Sequence, residues 1–166
     1  MHSLRPLTQA DLPALLDFER HNRAYFEQWV PPRPECFFND AARYTFHMET
    51  LLEEQKSGSF LMYVMEDNAG QILGCVNLTI SPTPSLGYRI AKAHAAKGLA
   101  STAVHQICTI ARKTLALPQI TAQAARCNPA SQRVLTKNGF LKTKTTAQET
   151  KLNGQPIWLE LFHKPL

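Results

Sequence analysis

The residues from Leu86 to Leu117, LGYRIAKAHAAKGLASTAVHQICTIARKTLAL, carry the spacing with the most chemical content. A short run from Leu86 to Ile90 can form a strand, the residues from Ala91 to Lys97 are small or polar, and Gly98 opens a helical pattern. Leu99, Ala103, Ile107, Ile110 and Leu115 recur at spacings of three to five, which gives that helix one apolar stripe. A strand, a small-residue loop and a helix N-terminus together bind anions. The first helical turn has amides without intrahelical acceptors and a positive dipole end, and small side chains let a phosphate approach them. The stretch from Lys97 to Ser101 lacks the spacing of a P-loop, and Gly98 alone does not make a three-glycine dinucleotide fingerprint. An ordinary strand–loop–helix connection has the same local pattern, so both readings stand on this stretch alone.

Other reactive residue types are dispersed. Cys36, Cys75, Cys108 and Cys127 form no C-x-x-C pair, and the six histidines form no H-E-x-x-H cluster. These spacings point to reduced thiols in a cytoplasmic protein and to no metal site. Cys127 has no neighbouring base to make it a nucleophile, and His94 reads as a solvated loop residue.

The elements that would position such a site follow in order. A first strand is predicted from Leu4 to Leu7. A helix capped by Thr8 or Asp11 runs to about His21, with Leu12, Leu15, Leu16 and Phe18 on its apolar side. A further helical turn ends at Pro31-Pro32 and leaves Trp29 near a loop. The next helix, from Asn39 to Lys56, should turn Ala42, Phe46, Leu51 and Leu52 inward and end at Gly58. The runs from Phe60 to Glu66 and from Ile72 to Ile80 flank Asp67-Asn68-Ala69-Gly70, as in an antiparallel hairpin. Beyond the central helix, Gln119 to Ala125 reads as a strand. Asn128 and Pro129 then start a helix that ends before Gly139. Two last strands are expected from Phe140 to Thr146 and from Ile157 to His163, turning near Asn153-Gly154. No repeat or linker divides the 166 residues, so one domain over 1–166 is expected.

Several segments resemble, in the right order, the GNAT acetyltransferases of the RimJ/RimL type. Ala95-Ala96-Lys97-Gly98-Leu99-Ala100 is similar to the second half of their acyl-CoA loop, with Ala95 where that loop has Gln or Arg. Asn128-Pro129-Ala130-Ser131 through Lys137-Asn138-Gly139-Phe140 resembles the N-x-x-S…V-L-x-K-x-G-F segment. Asn22 with Trp29-Val30-Pro31, Leu86-Gly87-Tyr88, and Gly74-Cys75-Val76-Asn77 resemble three more. The resemblance implies an α/β fold (α+β in some schemes). Its centre is a mixed, mostly antiparallel sheet of six to seven strands, flanked by helices and splayed at the acyl-CoA site.

It also implies transfer of acetyl from acetyl-CoA, as cosubstrate, to a primary amine, most often the N-terminal α-amino group of a ribosomal or other protein. Tyr88, Arg89 and Ile90 on the strand would then bind the cofactor, with Ala95, Ala96, Lys97, Gly98, Leu99, Ala100 and Ser101 in the loop and Asn128, Ser131 and Lys137 beyond it. Ser131 would protonate the departing thiolate, and Glu149 would serve as base, because the amine must be neutral to attack. Strand amides would stabilise the oxyanion. Tyr25, Trp29 and Asn77 would line the amine site. Each residue also has a plainer role open to it: Asn128 as a helix cap, Ser131 as a first-turn serine, Glu149 as a partner of Lys144 or Lys151, and Tyr25 and Trp29 as core aromatics.

The charge is divided unevenly. Residues 1–80 hold 6 Lys and Arg against 11 Asp and Glu, a net of −5, whereas residues 81–166 hold 12 against 2, a net of +10. A basic half attracts nucleic acid or a polyanionic cofactor such as coenzyme A, and an acidic half attracts a cationic acceptor. Acetylation of a polyamine, amino acid or antibiotic therefore remains an alternative, as does a non-catalytic acyl-CoA-binding or RNA- and ribosome-binding module. No apolar run is long enough to cross a bilayer, and the N-terminus has no secretory pattern. The expectation is a cytoplasmic monomer or homodimer, with ribosome association possible.

Overall fold

Seven strands form one sheet in the order β1-β2-β3-β4-β5-β7-β6 in the computed structural model. It describes residues 4–152 and 154–166, and among these the side chains of all but 146–150. The strands are β1 (Leu4–Pro6), β2 (Phe60–Glu66), β3 (Ile72–Thr79), β4 (Ser85–Ile90), β5 (Gln119–Ala125), β6 (Leu141–Leu152) and β7 (Gln155–Pro165). The helices are α1 (Leu12–Phe26), α2 (Glu35–Asn39), α3 (Ala41–Ser57), α4 (Leu99–Lys113) and α5 (Pro129–Lys137). Every neighbouring pair of strands is antiparallel except β4 with β5. The mixed, mostly antiparallel GNAT architecture expected from the resemblance is thus the one observed.

The parallel pair is short. Its pairing covers Ser85 with Thr121 and Leu86 with Ala122; residues 87–90 and 123–125 then part from one another. Beyond Leu86, the edge that β4 turns toward β5 therefore has no ladder partner. This is the expected splay.

Two apolar clusters hold the sheet from its two faces. On one face α4 buries Leu99, Ala103, Val104, Ile107, Cys108 and Ala111 against Val76, Leu78, Leu86 and Ile120. The alanines at i and i+8 let α4 lie close to the strands. On the other face Leu12, Leu15, Leu16 and Phe18 of α1 pack with Phe37, Phe38, Tyr44 and Met48 over Val64 and Cys75. The β2–β3 hairpin turns as expected. Asp67 Oδ1 accepts the Ala69 and Gln71 amides, both at 2.9 Å, and Gly70 takes φ 80°.

The structure corrects several expected elements. Helix α1 runs without a break to Phe26 instead of stopping near His21, and the short α2 precedes α3. The inner face of α3 is Tyr44 and Met48, with Leu51 and Leu52 half-buried; Ala42 and Phe46 face outward, and Phe46 is 74% exposed. Tyr44 can point inward because its hydroxyl donates to Leu12 O at 2.9 Å, and Gln55 on the same face bonds Leu7 O and Met62 N. Polar residues with partners inside thus help set the face; of the residues expected inward, Leu51 and Leu52 pack against the core and Ala42 and Phe46 do not. Strands β6 and β7 are longer than expected and pair from Leu141 with His163 to Leu152 with Gln155. The turn expected at Asn153-Gly154 falls partly on Asn153, outside the described residues. Gly154 has φ 77°.

Candidate active site

The anion cradle is built by backbone shape. Gly98 is the N-cap of α4 at φ 82°, a left-handed conformation that suits glycine, and offers no capping side chain. The first intrahelical bond runs from Thr102 N to Gly98 O at 3.0 Å, so the amides of Leu99, Ala100 and Ser101 sit in the uncapped first turn. A Cβ added at Gly98 would meet no atom within 4 Å, so the space over this turn is open. Ala96 has φ 59°, which folds the loop back on itself, and Ala96, Lys97 and Gly98 are exposed. Open space, uncapped amides and a nearby lysine fit a pyrophosphate.

Two further contacts tie the cradle to its surroundings. Ser101 Oγ accepts from Asn138 Nδ2 at 3.1 Å, joining α4 to the end of α5. Lys92 N donates to Asn22 Oδ1 at 2.9 Å, and Asn22 Nδ2 returns to Phe18 O at 2.9 Å. The Asn22 of the sequence pattern thus docks α1 onto the start of the loop.

A hydroxyl pair stands beside the splay. Tyr88 on β4 and Ser131 in the first turn of α5 meet at 2.8 Å between OH and Oγ, and the Tyr88 hydroxyl also donates to Ser131 O at 3.2 Å. Asn128 caps α5, accepting from Ser131 N at 3.1 Å, and Pro129 occupies the first helical turn. The cap fixes where Ser131 points. Burial pushes the Tyr88 phenol above its ordinary value against the opposing bond to Ser131, so the group stays protonated at neutral pH. Lys137 is exposed at the far end of α5.

The opposite face of β4 holds a second arrangement. Arg89 turns away from Tyr88, as strand alternation requires, and its Nη1 donates to Glu19 Oε2 at 2.6 Å. Glu19 is 2% exposed, and its Oε1 also lies 3.6 Å from Arg33 Nη2. The Arg33 guanidinium stacks 4.4 Å over Phe37, and Arg89 lies 5.3 Å from the Phe26 ring. Burial, then the charge of Arg89, lowers the Arg33 pKa from its ordinary value. Burial pushes the nearby Cys75 thiol up to about 12. A narrow cleft opens over this group, walled by Phe26, Val30, Pro31 and Phe38. Asn77 is on the same face, and a Cβ at Gly87 would lie 3.0 Å from its Oδ1.

The structure therefore brings together Tyr88, Ser131 and Asn128 on one side of the splay, the loop from Ala95 to Ser101 at its end, and Asn77 on the other side. Arg89 turns its backbone toward β3, where its carbonyl lies against Gly74, and its side chain is committed to Glu19; Ile90, of opposite parity on the strand, has its backbone on the splay side. Tyr25 and Trp29 are half-buried at and just after the end of α1, next to the cleft wall made by Phe26 and Val30. Glu149 is on β6, within the register shift between Thr146 and Thr150, and its side chain lies outside the described residues. Sequence reasoning missed Glu19, Arg33 and Phe26. The signal for Glu19 was present: it falls on the period of Leu12, Leu15, Leu16 and Phe26, where an acid is out of place without a buried partner.

Among the described residues no helix is long and apolar enough to cross a membrane, and no group of three or more His, Cys, Asp or Glu is placed to hold a metal ion.

Known proteins share the family and the fold of this chain. A family model described as an acetyltransferase (GNAT) domain matches residues 3–141. A probable N-acetyltransferase of Bacillus subtilis, YjcK, is 30% identical over 163 residues, covering 93% of this chain and 87% of its own. The ribosomal-protein-S5-alanine acetyltransferase of Vibrio fischeri superposes with a TM-score of 0.91 at 24% identity, over 99% of this chain and 92% of that one. The spermidine N-acetyltransferase of Vibrio cholerae, solved with CoA and spermine, superposes with a TM-score of 0.81 at 20% identity, over 99% and 95%.

Proposed function

This chain belongs to the GNAT acetyltransferase family and is an acetyl-CoA-dependent N-acetyltransferase, and on that premise we propose that its acceptor is the N-terminal α-amino group of a protein, ribosomal proteins included. The transfer chemistry is carried by the Tyr88–Ser131 hydroxyl pair set against the β4–β5 splay, with the uncapped Gly98 turn at the end of the same strand, and the acceptor is supported by the likeness to a ribosomal-protein-S5-alanine acetyltransferase. Acetyl-CoA supplies an acetyl group activated as a thioester. The uncapped amides of Leu99, Ala100 and Ser101 hold its pyrophosphate, with Lys97 adding charge in place of the Gln or Arg side chain absent at Ala95.

Chemistry then divides between the two sides of the sheet. Glu149, directly or through water, takes the ammonium proton so that the nitrogen lone pair can attack the acetyl carbon. Unpaired backbone N–H groups at the β4 edge hold the developing oxyanion. As the N–C bond forms and the C–S bond breaks, Ser131 gives its proton to the sulfur and takes one from Tyr88; the nitrogen sheds its second proton to water, and Tyr88, which burial keeps protonated, recovers one from water before the next turnover. Asn128 orients Ser131 and meets the pantetheine arm. Tyr25, Trp29 and Asn77 border the acceptor.

The reading extends to a single catalytic domain over residues 1–166 acting in the cytoplasm, where the four free cysteines would stay reduced. A calorimetric titration with acetyl-CoA tests the cofactor, with micromolar binding expected. A mass-spectrometric screen of free and N-blocked peptides beside polyamines tests the acceptor. Mass gain on free peptides alone supports the proposal, and gain on polyamines alone refutes it.

A further inference from the structure

Two side chains that the transfer chemistry does not use meet at the mouth of the cradle. Asn138, which closes α5, donates from Nδ2 to Ser101 Oγ at 3.1 Å and to Val134 O at 2.9 Å. Both hydrogens of that nitrogen are therefore committed. The carbonyl of Val134 can only accept, so it fixes which end of the Asn138 amide faces Ser101. Ser101 Oγ is thus held as an acceptor on the α5 side. A hydroxyl has one hydrogen to give, and toward Asn138 it meets a donor, so the hydrogen must turn elsewhere. Gly98 O, the carbonyl that opens the turn, already accepts Thr102 N at 3.0 Å. The open side is the space over the Gly98 turn, where an added Cβ would meet nothing within 4 Å.

Position gives this contact a consequence. Helix α5 runs from Ser131, at the hydroxyl pair, to Asn138, against the first turn of α4, a span of about 10 Å at about 1.5 Å per residue. One helix therefore reaches from the group facing the thioester sulfur to the group facing the pyrophosphate. Its far end is fixed as well. Lys164 of β7 donates from Nζ to Asn138 O at 2.5 Å, and a cation at a helix C-terminus is favourable. Backbone and side chain of Asn138 are both held, so its amide is in place before a ligand arrives.

We propose that Asn138 is a positioning residue for acetyl-CoA: by holding Ser101 Oγ as an acceptor, it turns the Ser101 hydroxyl hydrogen toward the pyrophosphate. The inference rests on the reading of the Gly98 turn as the pyrophosphate cradle. It adds one side-chain donor to the amides of Leu99, Ala100 and Ser101. Phosphate oxygens only accept, and an O–H bond to an anionic oxygen is stronger than one between neutral groups. A hydroxyl free to rotate would lose that freedom on binding, whereas one already oriented by Asn138 loses less. The same bond offsets in part the Gln or Arg side chain absent at Ala95.

The test is a double-mutant cycle on acetyl-CoA binding by calorimetry, beside CoA-thiol release with a free tetrapeptide and with spermidine as acceptors. Ser101→Ala should raise the acetyl-CoA Kd about tenfold, the size of one hydrogen bond to a charged group. Asn138→Ala should raise it by about three- to tenfold, and the double variant should match Ser101→Ala alone within about twofold, because Asn138 acts through Ser101. Ser101→Thr keeps the hydroxyl and should bind within about threefold of wild type. In Asn138→Ala, kcat at saturating acetyl-CoA should stay within about twofold, since Ser131 keeps its Asn128 cap. An Asn138 that only fastened α5 to α4 would move Ser131 and lower kcat, and its loss of affinity would multiply with that of Ser101→Ala. Either of those results, or an unchanged Kd in Ser101→Ala, overturns the assignment and leaves acetyl transfer standing. Should Asn138→Ala not fold, Asn138→Asp, of the same shape, decides. Its carboxylate takes the Ser101 hydrogen for itself and repels the phosphates, so Kd must rise at least about tenfold, and wild-type affinity refutes the role. No binding of acetyl-CoA by the wild type overturns the cradle reading beneath it.

Discussion

Removing the Ser131 hydroxyl isolates the chemistry from the fold with little ambiguity. In Ser131→Ala the helix cap survives, because Asn128 Oδ1 accepts from the Ser131 backbone N–H, not from the side chain. The Tyr88 phenol loses its 2.8 Å partner and keeps its bond to Ser131 O at 3.2 Å. Loss of one neutral hydrogen bond costs about 1 kcal/mol, and for a chain of this size that lowers Tm by roughly 2–4 °C. The catalytic loss should be much larger. A positioned proton donor contributes about 10²- to 10⁴-fold, so kcat should fall by at least about a hundredfold, or roughly 2.7 kcal/mol of barrier. Acetyl-CoA affinity should stay within about twofold. Tyr88→Phe should have a similar effect if Tyr88 acts through Ser131, and the double variant should then be about as slow as either single one, since members of one relay are not additive. The assay is steady-state thiol release beside a calorimetric titration and a thermal melt. A kcat within threefold of wild type in Ser131→Ala, or a double variant whose losses multiply, refutes the relay.

Three other outcomes are expected. Gly98→Glu should fold, because its Cβ meets nothing within 4 Å and the left-handed backbone costs about 1–2 kcal/mol. Its carboxylate should raise the acetyl-CoA Kd at least about a hundredfold, since like charges about 4 Å apart repel by about 4 kcal/mol near a protein surface; unchanged affinity by calorimetry would remove the loop from the site. The Arg5 guanidinium and the Thr8 amide and hydroxyl hold the Asp11 carboxyl at about 2, below its unfolded value. Its contribution is therefore present above about pH 4 and lost as pH falls toward 2. Because Arg5 is partly exposed, Asp11→Asn should cost only about 1 kcal/mol at pH 7, and in urea denaturation its gap from wild type should close between pH 4 and pH 2. Alkylation followed by mass spectrometry should modify exposed Cys127 first and half-buried Cys36 more slowly. Cys75, buried and pushed up to about 12, and buried Cys108 should react only after denaturation; early modification of Cys75 would contradict its burial.

What the amino-acid order determined by itself was local. Asn128-Pro129 and Gly139 bracket a helix, Gly98 opens another, and Asp67 to Gly70 makes a turn, because each depends on φ/ψ preferences and hydrogen bonds within a few residues. The order of strands and helices followed from the same short-range periods, and the family could be read from segments that each lie within one turn or strand. The length of α1 was misjudged because no strong breaker falls between His21 and Phe26, and the face of α3 because the inward Tyr44 and Gln55 are polar and find partners in α1, in β2 and at Leu7. Tertiary structure alone decided the rest. The splay between β4 and β5 arises where two strands far apart in sequence stop pairing, which no local period encodes. Tyr88 meets Ser131 across 43 residues and Glu19 meets Arg89 across 70. A buried carboxylate and the guanidinium groups beside it acquire meaning only when the chain carries them out of water and next to each other, because desolvation turns an ordinary surface charge into a group that must be paired.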